Sequence, residues 1–163
     1  MEWIFDIGGL GQYHSELTAE EKKIRNIAFF SILNEIKDNI ESLATKSCIS
    51  LDKVKKTVNG LARRGLMVLD KEGYIVGSHG LSLVKTEHLL YINGRKLFTW
   101  CAADAIGIPG ALGLDAHIVS KCHQCNKVLE ITVNKGKIEP LNNENIQIWV
   151  IEADLGRSIV GCA

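Results

Sequence analysis

The chain is 163 residues long, room for one ordinary domain or two small ones sharing a core, and its 46% hydrophobic and 23% charged residues are the balance of a folded rather than a disordered protein. Basic and acidic residues number 19 each, with eleven of each sign up to His79 and eight of each after it, so no net field draws the molecule to nucleic acid or to an anionic membrane. Nothing has the make-up of a membrane span or a secretory leader, which makes the cytoplasm the expected location and free thiols the expected state of the five cysteines, Cys48, Cys101, Cys122, Cys125 and Cys162.

Trp3, Phe5 and the glycines Gly8, Gly9 and Gly11 read as a leader with an apolar anchor. Thr18-Ala19-Glu20-Glu21 fits a capping box, and Ile24, Ile27, Phe30, Leu33, Ile36 and Ile40 follow at spacings of three and four, which predicts a helix. A short second helix is expected around Glu41 to Lys46, and Ser50 is placed to cap a third with the stripe Leu51, Val54, Val58 and Leu61, closed at Gly65. Cys48 is expected in the core of this group. Leu66 to Leu69, the turn Asp70 to Gly73, and Tyr74 to Val76 then read as a hairpin, giving a winged-helix-like layout. The third helix carries Lys53, Lys55, Lys56, Arg63 and Arg64, but Asp52, Asp70 and Glu72 dilute the patch, and a solvated helix face outweighs DNA binding as its reading.

Short strands are expected over Leu81 to Val84, Leu89 to Ile92 and Leu97 to Trp100, punctuated by Gly77, Gly80 and Asn93-Gly94. A helix starting at Cys101 should run only to about Ile108, because Pro109-Gly110 would terminate it. Strands follow over Ala116 to Ser120, Val128 to Val133 and Ile146 to Ile151, with a hairpin signal at Asn134-Lys135-Gly136. The expected class is α+β: a winged-helix-like module over residues 1–78 packed on a small mixed or antiparallel sheet domain over 79–163.

Chemistry concentrates at Trp100-Cys101-Ala102-Ala103-Asp104. A helix beginning there puts a thiol and a carboxyl three residues apart on one face. Unpaired N–H groups at a helix start favour the thiolate, a nucleophile and soft-metal ligand, and the carboxyl can hold or deliver a proton. Without further context, a buried helix-start thiol followed by an ordinary first-turn acid would explain the same residues.

The context is a longer ordered string. Gly80-Leu81-Ser82-Leu83, Thr86-Glu87-His88, Gly94 through Asp104, Pro109 through Gly113, Ala116 through Ser120, Cys122 and Leu129 through Val133 together resemble the organomercurial (alkylmercury) lyases. The resemblance implies cleavage of a carbon–mercury bond to a hydrocarbon and Hg(II), with no organic cofactor and with small-molecule thiols or a mercury-reductase-like protein accepting the metal. It carries Cys101 over as catalytic thiolate and Asp104 as catalytic carboxyl, gives Cys122 a supporting, buried role, and places the second active-site cysteine near Cys162, with Ser158 just before it. Trp100, Ile106 and Ile108 are candidates for an apolar wall that raises the Asp104 pKa. The family's usual chain continues beyond the second cysteine, so a divergent or C-terminally shortened member is expected.

Cys122-His123-Gln124-Cys125 adds a Cys-x-x-Cys, half of a zinc site that His123, His117 or Cys162 would have to complete. Its plain alternative is a small buried residue at a turn. Two other functions stand beside the lyase: a protein that binds or transfers a soft metal through Cys101, Cys122, Cys125 and Cys162 without cleaving a bond, and a winged-helix metal-responsive regulator. The neutral charge balance counts against the regulator.

Overall fold

The computed structural model describes residues 17–139. Three helices come first, α1 (Ala19–Leu33), α2 (Ile40–Ser47) and α3 (Leu51–Arg63), followed by strands β1 (Met67–Leu69), β2 (Ile75–Ser78), β3 (Leu81–Ser82), β4 (His88–Ile92) and β5 (Arg95–Thr99). Helix α4 (Ala102–Leu112) precedes β6 (Ala116–Lys121), β7 (Val128–Asn134) and β8 (Lys137–Ile138). All eight strands form one antiparallel sheet in the order β1-β2-β3-β5-β4-β6-β7-β8, which makes the fold α+β. The sheet runs unbroken from the β1–β2 hairpin into the strands around Cys101, and one apolar core extends from Ile24 and Phe29 to Ile131 and Val133. The expected strand Ile146 to Ile151 and the leader lie outside the described residues.

Helix α1 begins as the capping box requires: Thr18 Oγ1 accepts from the Glu21 N–H, and Glu21 Oε2 accepts from the Thr18 N–H at 2.8 Å. Its buried face differs from the expected one. Ile24, Ala28, Phe29 and Ile32 point inward, whereas Phe30 and Ile36 are exposed. Successive steps of three turn backwards by about 60° on a 3.6-residue helix, so Ile24, Ile27, Phe30, Leu33 and Ile36 cannot share a side. The helix also stops at Leu33, and Asn34 Nδ2 donates back to the Phe30 carbonyl at 2.7 Å. Leu51 is likewise exposed, leaving Val54, Val58 and Leu61 as the buried stripe of α3. Cys48 is not in the core: it is the exposed, left-handed cap of α2, with φ 55°.

Pro109 lies inside α4 rather than ending it. The proline removes only the N–H that would reach the Ala105 carbonyl, and the last turn is closed instead by Leu114 N–H to Pro109 O at 3.1 Å and by Gly113 in the left-handed region. The β7–β8 turn then seats on this end. Gly136 N–H donates to Leu114 O at 3.1 Å, and a Cβ at Gly136 would lie 2.9 Å from Gly110 O, so the close approach needs glycine.

The helices are tied to the sheet through Asp38. Its carboxyl, 3% exposed, accepts from Lys46 Nζ at 2.7 Å and Ser42 Oγ at 2.8 Å, and its carbonyl accepts from Ile75 N–H at 2.7 Å. Burial alone would raise the Asp38 pKa, but hydrogen bonds from Lys46, Ser31 and Ser42 outweigh it and hold the carboxyl below its ordinary range. A carboxyl depressed on folding stabilises above its unfolded pKa and loses that contribution as pH falls through the folded one. Lys46→Met should therefore cost about 1–3 kcal/mol at neutral pH in urea denaturation. The loss should shrink in acid, once Asp38 is protonated in both variants.

Candidate active site

The strand entering the site is anchored before it reaches the thiol. Thr99, fully buried, donates from Oγ1 to the Cys101 carbonyl at 3.0 Å, while Thr86 Oγ1 donates to the Thr99 carbonyl at 2.7 Å. Trp100 N–H reaches the Gly80 carbonyl at 2.8 Å. The chain then leaves β5 in extended conformation at Cys101 (φ −147°, ψ 173°) and enters α4, so Cys101 occupies the N-cap position usually taken by Ser, Thr, Asp or Asn. Its Sγ accepts from the Asp104 N–H at 3.4 Å, and its thiol faces Asp104 Oδ2 at 3.1 Å. The sequence-predicted pair is in direct contact, and both side chains are only partly buried.

Electrostatically the thiol departs from expectation. Burial, and then the negative charge of Asp104, push the Cys101 pKa up to about 12, outweighing the lowering by the N–H groups of Asp104 and Ala103. The helix start alone would acidify the thiol, but burial, reinforced by a carboxylate at hydrogen-bond distance, reverses the sign. Burial raises the Asp104 pKa as well, against the lowering by its hydrogen bonds with Cys101. The pair therefore rests with a proton between sulfur and oxygen.

Gly80 fixes where the carboxyl can be. It forms a two-residue turn with His79 between the paired Ser78 and Leu81, with φ +79° and +50° respectively, a type I′ geometry. A Cβ at Gly80 would fall 2.3 Å from Asp104 Cγ, so glycine is needed for its dihedral and for the space the carboxyl occupies. The sequence marked Gly80 as a turn. Its role as a wall of the site depends on a contact across 24 positions that no local pattern reveals. Trp100, expected as part of the apolar wall, turns its indole toward Gly77 on β2; Ile108 is buried in the core and Ile106 packs against it.

Beside this pair, Thr99, His88 and Ser120 form one row across β5, β4 and β6, all buried. His88 Nδ1 lies 3.1 Å from Ser120 Oγ, and burial lowers its pKa against the opposing pull of Glu87. No local motif marks His88, and its pairing with Ser120 arises only from strand register. Cys122 and Cys125 lie apart from Cys101, in the turn joining β6 to β7. Cys122 is partly exposed rather than buried, since it opens that turn, and Cys125 is exposed. N–H groups of Cys125 and Gln124 and the Cys125 thiol lower the Cys122 pKa. Among the described residues no group of three or more His, Cys, Asp or Glu converges as a metal site, so neither His123 nor His117 completes the zinc half-site of Cys122 and Cys125. Cys162 lies outside the described residues. Among the described residues no helix is long and apolar enough to cross a membrane.

The family model described as alkylmercury lyase matches residues 81–162, half of the chain. The chain belongs to the alkylmercury lyase family. Alkylmercury lyases of Staphylococcus epidermidis and Streptomyces lividans are each 29% identical to it, over 115 and 120 residues that make up 71% and 74% of this chain. The chain spans about half the length of these curated relatives, 51% and 54%. The alkylmercury lyase of Pseudomonas putida is 38% identical over 64 residues. Among solved structures, the mercury-bound form of MerB2 superposes with a TM-score of 0.87 at 29% identity, covering 94% of this chain and 74% of that one. The match to the lyase fold thus includes the three helices and the hairpin that precede the family-model region.

Removing the Asp104 charge should release the thiol. In Asp104→Asn, Cys101 is expected to ionise at a lower pH than in the parent, though still above an ordinary thiol because its burial remains. Site-resolved alkylation followed against pH by mass spectrometry measures it, and an unchanged profile would show that the carboxylate does not control the sulfur. Gly80→Ala should shift the same profile, because the added methyl displaces the carboxyl.

Proposed function

We propose that the protein cleaves the carbon–mercury bond of organomercurials, releasing a hydrocarbon and Hg(II). The observation that carries this is the hydrogen bond between the Cys101 thiol and Asp104 Oδ2 at 3.1 Å. Mercury is a soft cation that bonds sulfur and must displace the thiol proton to do so. Asp104 is the acceptor already in place, and the proton moves less than a bond length to reach it. When R–Hg–X meets the site, a sulfur–mercury bond forms, X departs, and Asp104 becomes a carboxylic acid beside the metal-bound carbon.

A second thiolate then completes the reaction. Cys162 is the residue the family resemblance assigns, and the family match extends to residue 162. Its addition, with its own proton going to the departed X, pushes electron density onto carbon. Asp104 delivers its proton there as the carbon–mercury bond breaks, so RHgX and two thiols yield RH, HX and a bis-thiolate Hg(II). The raised Asp104 pKa suits it to hold that proton until the carbon takes it. No organic cofactor takes part, and Hg(II) leaves by exchange to small-molecule thiols or a reductase-like protein, in a reducing compartment such as the cytoplasm.

Incubation of the reduced protein with a phenylmercury salt and excess thiol should give benzene in the headspace by gas chromatography. No benzene above the thiol-only control would refute the lyase reading. Asp104→Asn should lower release by about 10²–10⁴-fold while mercury capture persists. A protein that captures the metal without cleavage would be indifferent to that change. Release by the parent should fall in acid as Asp104 becomes protonated at rest, because the thiol proton then has no acceptor; the raised folded pKa places this decline above the ordinary carboxyl range.

A further inference from the structure

We propose that Cys122 and Cys125 form a second, surface dithiol that takes Hg(II) in two-coordinate geometry and receives the metal produced at Cys101 and Asp104. The receiving role rests on the lyase reading; the binding does not. The β6–β7 turn holds both cysteines in one short loop. Lys121 pairs with Val128, Cys122 N–H donates to Lys127 O at 2.9 Å, and Asn126 N–H donates to Cys122 O at 2.8 Å, which closes a tight loop over residues 123–126. Asn126, immediately after the second cysteine, has φ +58° and turns the chain back into β7. Cys122 opens this loop, partly exposed, and Cys125 sits three residues on, exposed, so both thiols are offered on one short turn.

The same geometry argues against zinc. A structural zinc wants four ligands, and no third or fourth donor converges on this turn among the described residues. A soft ion content with two thiolates needs none. Position supplies the remaining argument. Thr99, His88 and Ser120 share a row of the sheet, and β5 and β6 run the same way because both are antiparallel to β4. Cys101 follows Thr99 by two residues and Cys122 follows Ser120 by two, so both leave the same end of the sheet, two strand spacings apart, on the order of 10 Å. Cys101 is partly buried, whereas Cys125 is exposed. Transfer is a thiol exchange without redox change: two mercury–sulfur bonds break, two form, and the protons of Cys122 and Cys125 pass to the sulfurs released.

The test is a mercuric chloride titration in excess glutathione, with bound metal counted by native mass spectrometry and thiolate–mercury ultraviolet absorbance, on the parent, Cys125→Ser and Cys122→Ser. The parent should hold one more Hg(II) per chain than either variant, whose affinity at this site should fall roughly 10²–10⁴-fold through loss of the chelating second sulfur. Equal mercury content in all three would overturn the proposal. Benzene release from phenylmercury in a single turnover should be the same in Cys125→Ser as in the parent. If benzene appears but mercury contents are equal, the dithiol fails and the lyase stands; if contents differ and no benzene appears, the dithiol binds mercury and the lyase reading, with the relay role, fails.

Discussion

Everything at the site follows from one short contact, a thiol held against a carboxylate. Two groups that would each carry negative charge cannot both ionise at such separation in a partly dry environment, so one proton stays between them. Burial raises both affinities for that proton, and the carboxylate adds to the sulfur's. The helix start, which alone would favour a free thiolate, is left with a geometric task. It fixes the sulfur as N-cap and sets the carboxyl one turn along, where their side chains meet.

Holding that contact takes residues from the whole described fold. Thr86 and Thr99 secure the end of β5, and the Gly80 carbonyl secures Trp100. Gly80 itself belongs to the turn that leads out of the β1–β2 hairpin, so the helical front of the chain delivers the residue that backs Asp104. Asp38, through its bonds to Lys46, Ser42 and Ile75, sets the helices against the strand that leads to that turn. The continuous sheet makes the front half part of the site's scaffold rather than an appended module. A proton shared over 3.1 Å demands this, because a displacement of an ångström would separate the donor from its acceptor.

Features set by a few consecutive residues were legible beforehand. The Thr18 to Glu21 box, the Asn93-Gly94 turn and the Cys101-x-x-Asp104 spacing each need only neighbours in sequence to define them. Features set by tertiary context were not. The buried face of α1 is hidden because a three-residue series looks periodic while it precesses around the helix. Pro109 looks locally like a stop because the Gly136 turn that supports the last turn of α4 lies more than twenty residues downstream. The sign of the Cys101 pKa shift is hidden for the same reason, since spacing shows neither the burial of the sulfur nor that the carboxyl faces it. Gly80 and the Thr99–His88–Ser120 row emerge only from strand pairing.

The raised thiol pKa has a consequence for selectivity. A sulfur that keeps its proton to about 12 is a poor nucleophile toward ordinary alkylating agents and oxidants at neutral pH, because the thiolate is the reactive form. A soft metal cation differs in that its bond to sulfur is strong enough to displace the proton, and here the displaced proton has a base waiting for it. On the lyase reading, the site discriminates against the common electrophiles of a cell and favours an ion that couples metal binding to deprotonation. On the lyase reading the same coupling arms the acid: Asp104 acquires its proton only when mercury has bonded sulfur, so the proton donor exists when a carbon–mercury bond is beside it. A pre-ionised thiolate would bind mercury faster, but it would leave Asp104 without the proton that the carbon must receive.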